Sequence, residues 1–174
     1  TLHLDRLTTP IGVAMIAIDG GGVLCGVDWE DHFLPRMRRL LDRHHPGAEL
    51  KEGPAPGAVR DAFEAYFAGQ IDALAGLAWR TNGTAFQRQV WSALCEIPAG
   101  MTWSYASLAK RIGRPAAVRA VGLANGSNPI SLVVPCHRVI GANGALTGYG
   151  GGLSRKQWLL RHEGVEAPAG RRLS

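Results

Sequence analysis

The stretch "SYASLAKRIGRPAAVRAVGLAN", residues 104–125, predicts two short helices separated by a tight turn. Ser104 is a residue type that caps helices, Gly113 is typical of a helix end, and Pro115 suits the first position of a following helix. Two helices joined in this way form a helix-turn-helix, which occurs in DNA-binding proteins and also as an ordinary structural unit. The pattern alone leaves both interpretations open.

The second predicted helix combines arginines with small side chains. Arg114 lies in its first turn and Arg119 on its face, together with the small residues Ala120 and Gly122. Small side chains let a helix approach another surface closely, and an arginine on such a face is able to reach into a nucleic-acid groove. An exposed arginine on an amphipathic helix is the commoner explanation of the same pattern.

Charge divides the chain into an acidic and a basic part. Residues 1–83 contain 8 Lys+Arg and 11 Asp+Glu, a net charge of −3, whereas residues 84–174 contain 11 and 3, a net charge of +8. The basic part is therefore a candidate for contact with a polyanion, although a solvated basic face explains the charge equally well. The 174 residues are 46% apolar and 19% charged, as expected for one or two globular domains.

The sequence contains no membrane or secretion signal. No apolar run approaches the roughly 18 residues that cross a bilayer, and the first residues lack the apolar core of a signal peptide. The three cysteines, Cys25, Cys95 and Cys136, show no C-x-x-C spacing, which argues against disulfides and against a zinc site. We therefore expect a cytoplasmic protein with free thiols, no membrane contact, no metal and no cofactor.

The N-terminal part has an α/β pattern. The runs "GVAMIAID" and "GVLCGVDW" predict two strands joined by a hairpin at residues 20–22, and "HFLPRMRRLLDRHH" and "AVRDAFEAYFAGQ" predict helices. The "TNGT" stretch, residues 81–84, marks a boundary. We predict an α/β supporting domain over residues 1–83 and a mainly α domain over residues 84–174.

The second domain is predicted to begin with a capped helix. Thr84-x-x-Gln87 has the form of a capping box and opens "AFQRQVWSALCEI", which Pro98 stops. Near the other end, "SRKQWLLRHEG" predicts a helix capped by Ser154 and ended at Gly164.

Between these helices, the stretch "VVPCHRVIGANG", residues 133–144, carries the strongest chemical signal. "SLVVP" predicts a buried strand that leads into Cys136, and Asn143-Gly144 predicts a hairpin turn in a glycine-rich flap. A thiolate is a strong nucleophile, and a histidine such as His137 is able to take its proton. Adjacent residues of an extended strand point to opposite faces, so the pair needs a turn or a bridging water.

A carboxylate that orients His137 would complete a relay. The second domain has only Glu96, Glu163 and Glu166, and Glu163 at the end of the last helix is able to dock beside His137. The alternative for a cysteine after a β-run is an inert buried thiol. We expect Cys25 and Cys95 to be of that kind.

Two long runs resemble a known family. "FQRQVWSALCEIPAGMTWSYASLAKRIGRPAAVRAVGLANGSNP" and "NPISLVVPCHRVIGANGALTGYGGGLSRKQWLLRHEG" resemble the O6-alkylguanine-DNA alkyltransferases, also called methylated-DNA–protein-cysteine methyltransferases. The Pro-Cys-His-Arg core is the signature of that family, and the resemblance covers residues 84–164. It implies a ribonuclease-H-like N-terminal α/β domain and a C-terminal domain with a winged helix-turn-helix.

The resemblance also implies residue roles. Cys136 would accept the alkyl group, and His137 and Glu163 would activate it through a water. Tyr105 would contact the flipped base and the neighbouring phosphate, and Arg119 would fill the gap in the base stack. Asn128 matches the asparagine that orders the turn before the active-site strand.

Further positions match the base pocket of the family. The Val139 carbonyl would contact guanine, and Tyr149 and Gly150 would lie in the flap over it. Many relatives carry serine in place of Gly150, and some carry proline in place of Ser131. A subset of the family binds structural zinc through N-terminal Cys and His ligands, but Cys25 is the only cysteine in this N-terminal part.

The implied function is direct-reversal DNA repair. The alkyl group of O6-alkylguanine in double-stranded DNA would pass irreversibly to Cys136 in one turnover, with O4-alkylthymine as a second candidate substrate. A base edge inside a duplex is reached only when the base leaves the stack. We expect a monomer, and the sequence leaves cooperation between chains along DNA open.

Other classes of protein remain as alternatives. One is a silent lesion-binding relative, in which tryptophan commonly replaces the cysteine that this chain keeps. A Cys-His hydrolase would release product over many turnovers. A helix-turn-helix transcription factor would usually bring a dimer surface or an effector domain, neither of which is evident.

Overall fold

The computed structural model describes residues 1–141, 149 and 151–165, and within them the chain forms six strands and six α-helices. The strands are β1 (Leu2–Thr9), β2 (Gly12–Ile18), β3 (Leu24–Trp29), β4 (Leu50–Glu52), β5 (Trp103–Ser104) and β6 (Val139–Ile140). The helices are α1 (Arg38–His44), α2 (Gly57–Phe67), α3 (Ala85–Leu94), α4 (Tyr105–Arg111), α5 (Val118–Gly126) and α6 (Leu153–His162).

The described residues form two compact units. The first contains Thr1–Gly83 and also Pro129–Val133, and the second contains Thr84–Asn128 and the described residues from Val134 onward. None of the described helices has the length and apolar character needed to cross a membrane.

A four-stranded sheet with the order β3-β2-β1-β4 organises the first unit. Strand β2 is antiparallel to both β1 and β3, whereas β4 is parallel to β1. The predicted hairpin between β2 and β3 is confirmed. The Asp19 carboxylate holds its turn by accepting the N–H groups of Gly21 and Val23 at 2.9 and 3.0 Å.

The helices and core of the first unit follow the predicted pattern with one change. Regular α-helix begins at Arg38, after a 3₁₀ turn at Glu30–His32 and a π turn at Phe33–Met37. Pro35 explains the delay, because proline lacks an N–H and clashes with the preceding helical turn. The main cluster of buried apolar side chains consists of Leu2, Leu4, Met15, Ala17, Cys25, Met37 and Leu41.

In the second unit, α3, α4 and α5 pack together. The capping box at the start of α3 is confirmed: Thr84 Oγ1 accepts the Gln87 N–H at 3.1 Å, and the Gln87 side chain accepts the Thr84 N–H at 3.0 Å. The Ser104 cap of α4 is also confirmed, since its hydroxyl accepts the Ser107 N–H. The Trp91 indole N–H donates to the Ala124 carbonyl at 2.9 Å and ties α3 to α5.

Three predicted helix ends are wrong. Helix α5 begins at Val118 rather than Pro115, because the Ala117 N–H donates to the Arg114 carbonyl and closes a separate turn around the proline. Helix α6 begins at Leu153 after Gly152, whose φ of 97° only glycine adopts readily, so Ser154 lies inside the helix and does not cap it. Helix α3 ends at Leu94, before the predicted stop at Pro98.

The predicted strand before Cys136 is wrong as well. Residues 131–134 form turns and bends, and Leu132 has a φ of 73°, a conformation that strands do not contain. The preceding segment pairs differently: the Ser131 N–H donates to the Val27 carbonyl at 3.0 Å in the first unit. The apolar run is buried, as predicted, but its backbone hydrogen bonds close turns, so it is not an extended strand. The hairpin turn predicted at Asn143-Gly144 lies outside the described residues.

Candidate functional site

The cysteine and histidine of the Pro-Cys-His-Arg run lie on a single 3₁₀ turn, Cys136–Arg138. The Cys136 N–H donates to the Val134 carbonyl at 2.8 Å, and the Arg138 N–H donates to the Pro135 carbonyl at 3.0 Å. In an extended strand these two side chains would point to opposite faces. The turn removes that restriction, and both side chains are buried. This is the bend that coupling between Cys136 and His137 requires.

His137 and Glu163 form a fully buried pair. The Nε2 atom of His137 lies 2.8 Å from Oε2 of Glu163, and both side chains have 0% exposure. An ionised carboxylate only accepts hydrogen bonds, so the hydrogen of a neutral ring must be on Nε2 and the lone pair on Nδ1. The Nδ1 atom is buried and has no hydrogen-bond partner among the described residues. It is therefore the atom that is available to take a proton.

Arg138 is a third member of this cluster, which sequence reasoning missed. Its Nε and Nη2 atoms donate to the two oxygens of Glu163 at 2.8 and 3.1 Å, and its Nη1 atom donates to the Ile97 carbonyl at 2.8 Å. The signal was present in the sequence, because an arginine directly after the Cys-His pair needs an anion if it is buried, and carboxylates are scarce in this unit.

Two neighbouring side chains, His137 and Arg138, set the charge of Glu163. Burial alone would raise the pKa of this carboxyl, but its electrostatic and hydrogen-bond interactions with both neighbours outweigh burial, so the pKa lies well below its ordinary value. Glu163 is therefore ionised under physiological conditions and keeps the His137 ring in one tautomer and orientation.

Two asparagines hold the backbone around the cysteine. Asn128 donates from Nδ2 to the Val134 carbonyl at 2.8 Å, which fixes the turn that leads into Cys136. Asn125, which the sequence reasoning did not single out, donates from Nδ2 to the Cys136 carbonyl at 3.5 Å, a weak bond. Both side chains are buried. The position of Asn128 agrees with the expected role in ordering this turn.

Lys156 is a third residue that sequence reasoning missed. Its ammonium group has 0% exposure and donates to the Val139 carbonyl, the expected guanine contact, at 2.6 Å. Burial lowers its pKa from 10.5 to about 8, and an interaction with Cys136 opposes this shift. Its place on α6, three and four residues before the buried Leu159 and Leu160, was the available signal.

The other expected pocket residues have different outcomes. Tyr149 is buried, and its ring centroid lies 6.4 Å from that of His137 in an edge-on arrangement. Gly150 lies outside the described residues. Ser131 is buried in the Pro129–Val133 segment of the first unit, and its role in a base pocket stays a prediction.

The predicted DNA-contacting residues lie on or beside the α4–α5 pair. Tyr105 is the first residue of α4, and its ring faces Gly122 of α5, where an added Cβ would lie 3.8 Å away in ordinary van der Waals contact. Arg119 and Ala120 are exposed on α5, and Arg114 in the preceding turn lies over the Phe86 ring at 5.8 Å.

The three cysteines differ in environment. Cys25 is buried in the first unit, as expected, and burial raises the pKa of its thiol. Cys95 is exposed, so the expectation of a buried thiol is wrong. It follows the last turn of α3 and lies off the apolar stripe of Val90 and Leu94. No three His, Cys, Asp or Glu side chains form a metal site within the part of the chain that the structure describes.

Comparison with known proteins supports one family. Residues 85–165 match the family model described as "6-O-methylguanine DNA methyltransferase, DNA binding domain". The methylated-DNA–protein-cysteine methyltransferase of Salmonella typhimurium is 49% identical over 92% of this chain and 94% of that protein. The protein of the same name from Mycobacterium tuberculosis is 44% identical over 97% and 96% of the two chains.

A solved structure agrees with these sequence matches. The crystal structure of the M. tuberculosis protein in complex with DNA is 42% identical, covers 96% of each chain and has a TM-score of 0.78. The similarity therefore extends over both units of the chain. The chain belongs to the family of the methylated-DNA–protein-cysteine methyltransferases.

Proposed function

We propose that this protein repairs DNA by transferring the alkyl group of O6-alkylguanine in a duplex to the Sγ atom of its own Cys136. The observation that carries the proposal is the buried His137–Glu163 pair beside Cys136 on one turn, with Nδ1 of His137 lacking a partner among the described residues. Such an arrangement turns a thiol into a nucleophile, since the ring accepts the thiol proton and the carboxylate stabilises the charged ring.

The proposed reaction is a single displacement. A water carries the Cys136 proton to Nδ1 of His137, and the thiolate attacks the alkyl carbon. The C–O6 bond breaks, its electron pair remains on guanine, and the Tyr105 hydroxyl donates to the purine ring as negative charge develops there. The guanine anion takes up one proton, which balances the proton that left Cys136, so the products are unmodified guanine and an S-alkylcysteine. No group among the described residues of this site cleaves a thioether, so each molecule acts once.

The proposed DNA contact is through α4 and α5. We propose that this pair is the helix-turn-helix that the family resemblance implies. Arg119 enters the stack where the damaged base has left it, and the net charge of +8 over residues 84–174 supplies salt-sensitive affinity for phosphates. The solved complex of the M. tuberculosis relative with DNA supports DNA as the partner.

The remaining parts of the proposal concern the whole protein. The sheet of the first unit, with its antiparallel strands and added parallel β4, is compatible with a ribonuclease-H-like supporting domain. We further propose that the protein is a monomer and that it is cytoplasmic. The cytoplasmic location agrees with three cysteines that form no disulfide. Cooperation along DNA remains a separate hypothesis.

The test is to incubate the protein with duplex DNA that contains one radiolabelled O6-methylguanine. We expect label on Cys136 and no more than one methyl group per chain. Repeated turnover would indicate a hydrolase, and equal transfer by Cys136→Ala would contradict the assigned acceptor. Cys95→Ala is the matched control, because Cys95 is exposed and lies outside the proposed site.

A second arm of the experiment addresses the substrate. Duplexes with O4-methylthymine are tested in parallel with O6-methylguanine at equal concentrations. Transfer from both lesions would assign a broad specificity, whereas transfer from guanine alone would restrict it. Tight binding without transfer from either lesion would indicate the silent lesion-binding alternative.

A further inference from the structure

Leu123 is the most exposed large apolar side chain of α5, and it lies beside Arg119. Leu123 has 73% exposure, the highest value among the large apolar residues of the described chain. It follows Arg119 by four residues, so the two side chains are neighbours on the same face of the helix.

The packing of the second unit does not account for this leucine. The buried face of α5 consists of Val121, Ala124 and Asn125, and Ala124 accepts the Trp91 hydrogen bond that ties α5 to α3. Leu123 lies on the opposite side of the helix. A single exposed apolar side chain is ordinary on a protein surface. Leu123 is of interest because it lies beside Arg119, on the face of α5 that the proposed function places against DNA.

The residues around Leu123 indicate which kind of molecule binds this face of α5. The small residues Ala120 and Gly126 lie three positions before and after it, so the helix backbone is able to approach a surface closely. Residues 104–128 contain four cationic side chains and no carboxylate: Lys110, Arg111, Arg114 and Arg119. Arg111 is paired with Glu96. An apolar tip close to the remaining cations is complementary to the groove of a nucleic acid, where phosphates flank apolar sugar and base edges.

We propose that Leu123 is a second groove-inserting side chain, which packs into the minor groove of duplex DNA one helical turn beyond Arg119. This inference rests on the proposed function, in which α5 contacts the damaged duplex. The Arg119 guanidinium, which makes no hydrogen bond or ion pair within the described residues, fills the vacated base position. Leu123 acts as an apolar wedge against the adjacent sugar and base edges and keeps the opened step free of water.

The wedge differs from the arginines in its dependence on salt. A lysine or arginine that contacts a phosphate displaces a counterion, so its loss lowers the slope of log K against log salt by about 1. Leu123 contacts no phosphate in this arrangement. Its loss must therefore weaken binding to a similar extent at every salt concentration.

The experiment compares variants of the full chain in two reactions, repair of O6-methylguanine in a duplex and transfer from the free base O6-methylguanine. We expect Leu123→Ala to lower the duplex repair rate about 10-fold more than the free-base rate, with an unchanged salt slope of DNA binding. Leu123→Met, which keeps an apolar side chain of similar volume, restores most of the duplex rate. Leu153→Ala on α6 is the matched control, because Leu153 is also exposed, at 40%, and lies outside the proposed surface.

The outcomes separate this inference from the function on which it rests. If Leu123→Ala matches the wild-type duplex rate while Arg119→Ala reduces it, the wedge is wrong and the proposed function stands. If Arg119→Ala leaves duplex repair unchanged, or Cys136→Ala still accepts the label, the proposed function fails and the wedge fails with it. Equal losses for Leu123→Ala in both reactions, or a reduced salt slope, would also overturn the wedge.

Discussion

At the scale of single residues, the buried Glu163 carboxylate determines the state of the candidate site. It accepts hydrogen bonds from His137 on one side and from Arg138 on the other, inside a unit where carboxylates are scarce. Removal of one partner from a buried charged group leaves the other poorly compensated. The stability and the reactivity of the site are therefore linked through the same three side chains.

Replacement of Arg138 by leucine tests this link. We expect Arg138→Leu to lower the free energy of unfolding by about 3 kcal/mol at pH 7, because the buried Glu163 carboxylate would lose the guanidinium that compensates its charge. Urea unfolding measures the change. Arg88→Leu is the control, since Arg88 is exposed on α3 and should change stability by less than about 0.5 kcal/mol. Equal effects of the two substitutions would show that the Arg138 contacts contribute little.

Lys156 gives a prediction with a defined pH range. Its pKa is about 8 in the folded chain and 10.5 when exposed, so between these values the unfolded chain binds more protons than the folded one. Stability relative to a Lys156→Met variant should therefore rise with pH, by about 3 kcal/mol between pH 7.5 and 10.5. Unfolding of both proteins by urea over this range gives the difference. A difference that is constant with pH would mean that the folded pKa is not lowered.

At the scale of elements, the ends of helices follow local chemistry where a side chain makes the cap. Thr84 and Ser104 were both predicted as caps and are confirmed. Pro115 and Ser154 have the right residue types for helix starts, but the actual starts at Val118 and Leu153 depend on backbone turns. A residue type that favours capping therefore predicts a helix start only where no backbone turn moves the start elsewhere.

The capping box of α3 makes a measurable contribution. We expect Thr84→Ala to lower the free energy of unfolding by about 1 kcal/mol, because the Gln87 N–H loses its acceptor. Thermal melting of the full chain detects the change. Ser92→Ala, at an exposed position within the same helix, serves as the control and should be neutral or slightly stabilising. A loss of the same size from both variants would contradict a specific role of the cap.

At the scale of the whole molecule, the two units carry opposite net charge. We expect the first unit to make stability depend on pH and the second to make DNA affinity depend on salt. The first unit contains the buried pair His44 and His45. Burial is the largest cause that lowers the pKa of both imidazoles. His45 and Arg43 lower the pKa of His44 further, and Arg80 lowers that of His45. The His44 Nδ1 atom accepts the Asn82 N–H at 3.1 Å, which further requires a neutral ring.

This pair predicts a loss of stability in mild acid. Because both folded pKa values lie below the ordinary value of 6.5, the unfolded chain takes up more protons as the pH falls below 6.5, and stability falls with it. Unfolding measured from pH 7.5 to 5 should show this decline, and the double substitution His44→Gln with His45→Gln should flatten it. His32→Gln, at a partly exposed position, is the control and should leave the decline in place.

The charge difference between the units predicts where DNA affinity originates. In a plot of log K against log salt for duplex DNA, Lys110→Ala and Arg114→Ala should each reduce the slope by about 1, since both cations lie in the α4–α5 region. Arg43→Ala, which removes a cation from the acidic first part of the chain, should leave the slope unchanged. An equal reduction by all three variants would indicate that charge acts only through the net charge of the whole protein.

Sequence alone was sufficient for properties that local chemistry or a short motif determines. These are the hairpin between β2 and β3, the caps at Thr84 and Ser104, and the family to which the chain belongs. The sequence also identified Cys136, His137 and Glu163 as candidate site residues. Each depends on residues that are close in sequence or on a run as distinctive as Pro-Cys-His-Arg.

Tertiary structure decided what depends on the burial of polar groups and on distant hydrogen bonds. The apolar run before Cys136 forms turns because Ser131 pairs with Val27 and Asn128 with Val134, and the sequence pattern cannot specify either partner. Arg138 and Lys156 belong to the site only because the fold removes them from water and supplies one carboxylate and one carbonyl. A buried charge has to find a compensating partner, and which partner it finds is a property of three-dimensional packing.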